Sequence, residues 1–454
     1  MEAIAETLGH WAAGLTRGTI PGAVTATLRR ALLDAGGLMV AGRGMDYVAA
    51  ARGTAEAAGG CTAIGHAGGF AAGDAALISG IAVHGEDFDD TFEGTPVHVG
   101  AVLVPALLAV AERDGLSGED LLRGLAAGGE LACRMAVVAP TAIHRAAFHP
   151  TAVIGALSAA FGVAAAQRQT PQQMAQAMGI AGSMASGISE YLAEGTSTKR
   201  LHPGWAAQSG IRSAGLAARG FTGPRTVFEG EHGFFRAFAH PDIPRDFGRL
   251  TNGLGADWAL EGLAFKAYAC GTMAQPFIDA AIKLRGQVPD PDAVTEFAAP
   301  TAEAILHRLW EPMSEKTAPS TPYSAKFSVP YCIAVGLIDG AAGLSQFTDE
   351  KIRDEAILRL AAKVRYEVDP NDPYPDNYVG AITVRLQDGT ELDAAQPCLR
   401  GGRRDPMSDA ELEAKFRANA AFGGWPGGLA DRFSDFCNDA FTADRLDALI
   451  AFRA

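Results

Sequence analysis

Between His84 and Gly100 the chain reads HGEDFDDTFEGTPVHVG, which places Glu86, Asp87, Asp89 and Asp90 ahead of Thr91, Glu93 and His98 in a region otherwise rich in alanine, leucine and valine. An aspartate beside a histidine fixes the imidazole tautomer and raises its pKa, which suits proton transfer near neutral pH. His98 follows a turn containing Gly94 and Pro96, and loops held by a rigid scaffold often carry catalytic groups. Three further stretches hold similar residue types. In FHPT, His149 stands at the entrance to the apolar stretch VIGALSAAFGVAAA, where a helix N-terminus can meet an anion. GTSTKRLHPG brings Lys199, Arg200 and His202 together ahead of WAAQSGIRSAGLAA, and FKAYACG sets Lys266 between Phe265 and Tyr268. Taken singly, each has an ordinary structural explanation: a partly buried histidine, a solvated helix end or a surface lysine.

The acidic stretch also has a metal reading. Asp89-Asp90-Thr91-Phe92-Glu93 matches in outline the D-D-x-x-D/E motif with which helical terpene synthases hold magnesium and a diphosphate, and oxygen ligands suit a hard cation. That chemistry needs a second motif of the form N-D-x-x-S/T-x-x-x-E. Asn438, Asp439 and Thr442 fit it, but Leu446 stands where the glutamate belongs.

The elements that must carry these residues are mainly helical. Up to about residue 260, apolar residues recur at spacings of three and four, as in Ile4, Leu8, Trp11 and Leu15. Thr170-Pro171-Gln172-Gln173 offers an N-cap, a first-turn proline and a capping-box glutamine, and Ser117 precedes Glu119 and Asp120, where the helix dipole favours acids. The glycines and alanines in AAGGELA, IAGSMASG and SAAFGVAAA are read as letting helix axes approach closely. After residue 260 the prolines cluster. KVRYEVD, with Val364, Tyr366 and Val368 on one face, reads as a half-buried strand, and Ala381 to Leu386 followed by Asp388-Gly389 reads as a strand entering a hairpin turn. From Pro406 to the end the spacing is helical again.

Length and composition bound the rest. A chain of 454 residues, 48% apolar and 20% charged, has a folded globular composition with room for more than one core. A net charge of −14 and a pI near 5.2 argue against a nucleic-acid partner, which would need a basic face. Six scattered cysteines without a C-x-x-C pair fit reduced thiols in the cytoplasm. The N-terminus lacks the basic and apolar regions of a secretory signal. The apolar stretch from Val153 to Ala166 falls short of the roughly 18 residues of a membrane span.

DFDDT with the following His98, FHPT, TSTKRLHPGWAA, the K-x-Y-x-C of FKAYAC, and FSVPY at Phe327 to Tyr331 occur in an order and spacing that resembles the MmgE/PrpD family, from the first helix to about residue 440. That family includes 2-methylcitrate dehydratase, cis-aconitate decarboxylase and iminodisuccinate epimerase. The resemblance implies a large all-helical domain built from both chain ends (1–261 plus 396–454) and a smaller inserted α/β lid domain (262–395). It implies a homodimer with the site in the cleft between domain and lid, no metal and no organic cofactor. By motif matching, the site residues are Asp87, Thr91, His98, His149, Lys199, Lys266 and Tyr331, with Lys199, Lys266, His202 and Arg200 binding substrate.

The expected substrate is a small anionic di- or tricarboxylate clamped by local cations despite the acidic chain. The reaction expected first is dehydration of a 2-methylcitrate-like hydroxy acid: a carbon–oxygen lyase with His98 and His149 moving protons, Lys199 and Lys266 holding enolate charge, Asp87 orienting a histidine, and Thr91 and Tyr331 placing or protonating substrate. Decarboxylation and epimerisation share a stabilised carbanion and stay open, as does a carboxylate-binding dimer without catalysis. Ala267 where proline often follows the lysine, Met273 near a position often taken by histidine, and the length of FEGTPVH depart from the commoner family pattern and bear on the substrate.

Overall fold

The computed structural model describes residues 2–56, 58–93 and 95–454; Gly94, in the turn before His98, lies outside the described residues. The chain is mainly helical and divides into two compact units. The first contains the residues up to Gly85, Asp89–Leu263 and Asp409–Ala454; the second contains Glu86–Phe88 and Ala264–Ser408.

The site-bearing part of the first unit consists of α1 (Ala72–His84), α2 (Gly100–Asp114), α3 (Gly118–Ala136), α4 (Pro150–Ala166), α5 (Pro171–Met184) and α6 (Thr198–Ala218). The start signals operate as expected. Ser117 Oγ accepts from the Asp120 N–H at 3.2 Å while the Asp120 carboxylate accepts from the Ser117 N–H. Thr170 and Gln173 repeat this exchange at the head of α5. Helix α4 is buried along its whole length and packs against α2, α3, α5 and α6. An all-round apolar sequence is what such a central position demands. Among the described residues no helix is long and apolar enough to cross a membrane.

Glycine sets the approach of α3 to α4. A Cβ at Gly124 would come within 2.8 Å of the Gly162 carbonyl oxygen, and one at Gly162 within 2.7 Å of the Gly124 oxygen. Neither contact is tolerable; Gly162 belongs to SAAFGVAAA, and a Cβ at Gly128 of AAGGELA would likewise come within 2.8 Å of the Ser158 carbonyl oxygen, so the packing reading of these stretches holds here. The C-terminal helix Asp409–Phe422 packs on Gly22–Gly42, where Lys415 Nζ meets Asp34 Oδ1 at 2.7 Å with both side chains buried.

The second unit contains α7 (Gln275–Arg285), β1 (Val294–Thr301), α8 (Val329–Asp339), β2 (Val364–Val368), β3 (Gly380–Leu386) and β4 (Glu391–Gln396). The sheet order is β2-β1-β3-β4; β1 and β2 are parallel and the other pairs antiparallel. Ile382 and Val384 of β3 are buried on the face toward α7. The Asp-Gly hairpin forms, with Gly389 at φ 88° and the Asp388 carboxylate accepting from the Thr390 N–H. KVRYEVD forms edge strand β2. Of its expected apolar face Val364 is buried, Tyr366 is half-buried and Val368 is 47% exposed, because an edge strand is covered only where a neighbour reaches it.

Candidate active site

Within the first unit, α1 ends on His84, and the chain re-enters at Asp89 to run through Thr91 and His98 into α2. Asp89 organises this corner. Its Oδ2 accepts from His84 Nδ1 at 2.8 Å and lies 3.2 Å from His98 Nδ1. His98 Nδ1 also donates to the Asp90 carbonyl at 2.7 Å. A carbonyl oxygen only accepts, so His98 carries its hydrogen on Nδ1 and, when neutral, a lone pair on Nε2. The hydrogen bond to Asp89 sets the same tautomer in His84.

His149 is the residue immediately before α4, and its Nδ1 lies 3.0 Å from His202 Nδ1 on α6. The imidazoles form a buried group: ring centroids are 4.6 Å apart for His84 and His98, 5.6 Å for His84 and His149, and 5.2 Å for His149 and His202. Tyr191 lies edge-on to His149 and His202. His84 Nε2, Asp89 Oδ1 and Thr91 Oγ1 are buried without a hydrogen-bond partner among the described residues. Buried polar atoms are normally paired, so such a concentration of exceptions marks unused binding capacity.

Burial dominates the electrostatics. It pushes His84 down to about 4 despite the opposing charge of Asp89, and it pushes His202 to about 4, aided by the charges of His84 and Lys199. His149 is held well below the usual histidine value by burial, with the neighbouring His84, Lys199, His202 and His98 charges adding to it. Burial alone would raise Asp89, but the charges and hydrogen bonds of His84 and His98 outweigh it and hold the carboxyl well below its usual range. Burial, together with the Asp89 charge, lifts Asp90 to about 8. Asp90 therefore favours its neutral form near pH 7, and its side chain accepts from the Gly100 N–H at the head of α2. Adjacent aspartates thus divide into an anion that holds imidazoles and an acid that holds backbone, roles different from the paired magnesium ligands of the terpene-synthase motif.

Lys199 lies in the first turn of α6 and acts on the imidazoles through its charge. Arg200, expected to bind substrate, donates from Nε to the Gly85 carbonyl at 2.8 Å and stacks over the Tyr47 ring at 4.6 Å. That places its guanidinium in a structural contact.

The remaining expected residues fall in the second unit. Asp87 has φ 57°, unusual for a residue with a side chain. Lys266 Nζ donates to its carbonyl at 2.8 Å and to its Oδ1 at 2.6 Å, with both side chains buried. The carboxylate found on the histidines is that of Asp89, whereas Asp87, expected there, holds Lys266. The boundary between the units passes between Phe88 and Asp89, so aspartates two residues apart serve different units. Tyr331 is buried in α8 and donates its hydroxyl to the Gln346 carbonyl at 2.8 Å; burial raises its pKa. In this state the hydroxyl proton is committed to protein, not poised for substrate.

Sequence reasoning missed two features. His84 is not among the residues that motif matching selects, although its separation of five residues from Asp89 across the end of a helix is a readable signal. Lys326, buried and bonded to the Glu86 carbonyl and carboxylate at 2.9 Å each, sits just before FSVPY, and nothing in its residue type marked it as different from a surface lysine.

Comparison with known proteins finds two family models along the chain. The model of the MmgE/PrpD N-terminal domain matches residues 6–245, and that of the MmgE/PrpD C-terminal domain matches residues 268–424. Cis-aconitate decarboxylase of Mus musculus is 30% identical over 356 residues, covering 76% of this chain and 71% of the relative. Cis-aconitate decarboxylase of Aspergillus terreus is 26% identical over 441 residues, covering 90% and 88%. A 2-methylcitrate dehydratase of Cupriavidus necator is 28% identical over 203 residues, 42% of this chain and 39% of the relative.

Proposed function

The chain belongs to the MmgE/PrpD family, and from that premise we propose that it is a lyase that decarboxylates a cis-aconitate-like tricarboxylate. Dehydration was the first expectation. The relatives that match most of the chain carry the decarboxylase name, whereas the dehydratase matches less than half of it, and this extent favours the decarboxylase.

In the proposed reaction the carboxylate on the saturated carbon leaves as CO2. Its bonding electrons form a new carbon–carbon double bond, and the old double bond shifts its electrons to the carbon beside a second carboxylate. That carbon then takes one proton, giving a methylene-bearing dicarboxylate. The step needs a proton donor, cations for the carboxylates that remain, and a water-poor setting for the one that leaves.

The observation that carries the assignment is the buried imidazole group, in which one carboxylate orders His84 and His98, and His149 pairs with His202. His98 and His149 deliver the proton, with His202 and Asp89 positioning them. The low pKa values leave His84, His149 and His202 neutral at pH 7 before substrate arrives. An anionic substrate favours the charged imidazole, so substrate brings a proton in with it. Lys199 and Lys266 serve as cations for carboxylate groups, Thr91 Oγ1 supplies a free hydroxyl, and Tyr331 serves as a packed support. The family's homodimer is part of the proposal; Ile188, Leu192, Leu201 and Trp205, large apolar side chains exposed on the first unit, suit a covered face. Proton NMR of the protein with cis-aconitate tests the reaction: new methylene signals support it. Loss of turnover in both Lys199→Ala and His149→Gln supports the assignment of residues, and full turnover in both would refute it.

A further inference from the structure

One imidazole nitrogen from each of His84, His98 and His149 lies within 4.8 Å of the other two. Two of these rings are oriented by the same anion. Asp89 and the Asp90 carbonyl take the Nδ1 hydrogens of His84 and His98, which leaves both Nε2 atoms with lone pairs. His84 Nε2 is buried and has no hydrogen-bond partner among the described residues. Such lone pairs take up either a proton, as the proposed reaction uses them, or another electron-poor partner. A carboxylate behind an imidazole that presents its other nitrogen is the arrangement by which proteins fix metal-binding histidines and make them more basic.

We propose that His84, His98 and His149 form a site for a divalent transition-metal ion of the zinc class. Three imidazoles suit zinc, cobalt, nickel or copper, and offer little to magnesium or calcium, which want oxygen. Bonds of about 2.0–2.1 Å in a tetrahedral arrangement put ligand nitrogens about 3.4 Å apart, so closure asks for side-chain movements on the order of 1 Å. Asp89 contributes the negative charge behind the ligands, and Lys199, whose charge acts on the same rings, opposes the ion. The ion is an inhibitor, since it occupies His98 and His149. That last statement rests on the function proposed above; the binding itself does not.

Titration of chelator-treated protein with Co2+, followed by visible absorption, tests the site. The expected result is one equivalent bound with the intense bands of a tetrahedral ion and displaced by Zn2+. His84→Gln should bind at least tenfold more weakly, and Lys199→Ala more tightly than the unaltered protein. A spectrum without tetrahedral bands, or equal affinity in folded His84→Gln, would overturn the site; should that variant not fold, an unchanged or weaker affinity in Lys199→Ala would do so. In parallel, Zn2+ should abolish turnover of cis-aconitate and chelator should restore it. Binding without inhibition would overturn the inhibitory role alone. If turnover is absent altogether the absorption titration still decides the site, so failure of the function and failure of the metal site are read separately.

Discussion

Lys266→Met separates a structural from a chemical role for the buried lysine. In the second unit its side chain is 0% exposed and that of Asp87 is 5% exposed, with 2.6 Å between Nζ and Oδ1. Removing the cation leaves a buried carboxylate without it, which costs about 3–5 kcal/mol. It also removes the donor to the Asp87 carbonyl, in a residue whose positive φ is already unfavourable. At about 2–4 °C per kcal/mol for a unit of this size, the melting temperature should fall by roughly 6–20 °C. Adding Asp87→Asn should recover most of that loss, because replacing both partners removes the stranded charge and asparagine tolerates the left-handed backbone. Differential scanning calorimetry of the four proteins gives the coupling directly, and turnover measured on the same samples should stay lost in the double variant if Lys266 also holds substrate. A single variant within about 2 °C of the parent, or a double variant no more stable than the single, would refute the reasoning.

The neighbouring aspartates should behave oppositely. Asp90→Asn mimics a neutral acid and should cost under about 1 kcal/mol, whereas Asp89→Asn should lower turnover by on the order of 100-fold by releasing two imidazoles; denaturation and kinetics of both variants check the pair. Stability should fall with acid, because the unfolded chain's histidines take protons near 6.5 while His66, His84 and His202 hold out to about 4 in the folded state. The loss therefore runs between about pH 6.5 and 4 and amounts to at most about 3 kcal/mol per histidine; melting temperatures across that range, with His66→Asn flattening part of the slope, measure it. Gly124→Ala drives a Cβ toward the Gly162 carbonyl and should destabilise by about 1–3 kcal/mol in urea titrations.

Much of this architecture was legible because local signals and packing agree. Ser117 and Thr170 cap their helices as read, Asp388-Gly389 turns its hairpin, and the apolar stretch after FHPT is the central helix of its unit. The site was legible as a set of residue types, since His98, His149 and His202 do gather in one place. The partners were not. Which aspartate meets a histidine depends on the backbone reversal at Asp87 and on the unit boundary beside it, and a string of aspartates carries no mark of either. Arg200 and Tyr331 show the same limit: their types suit substrate binding, but a backbone carbonyl takes up a donor group of each. Burial decided the rest, because it makes His84 and Lys326 special without changing their letters.

Proton NMR in D2O of chelator-treated protein with cis-aconitate, and separately with 2-methylcitrate, citrate and iminodisuccinate, tests the proposed activity most directly. The expected result is loss of the cis-aconitate vinyl signal, with a methylene-bearing dicarboxylate carrying one deuterium in its place. Unchanged cis-aconitate beside water loss from 2-methylcitrate, or deuterium exchange into iminodisuccinate, would contradict decarboxylation and assign the site to another reaction of the family.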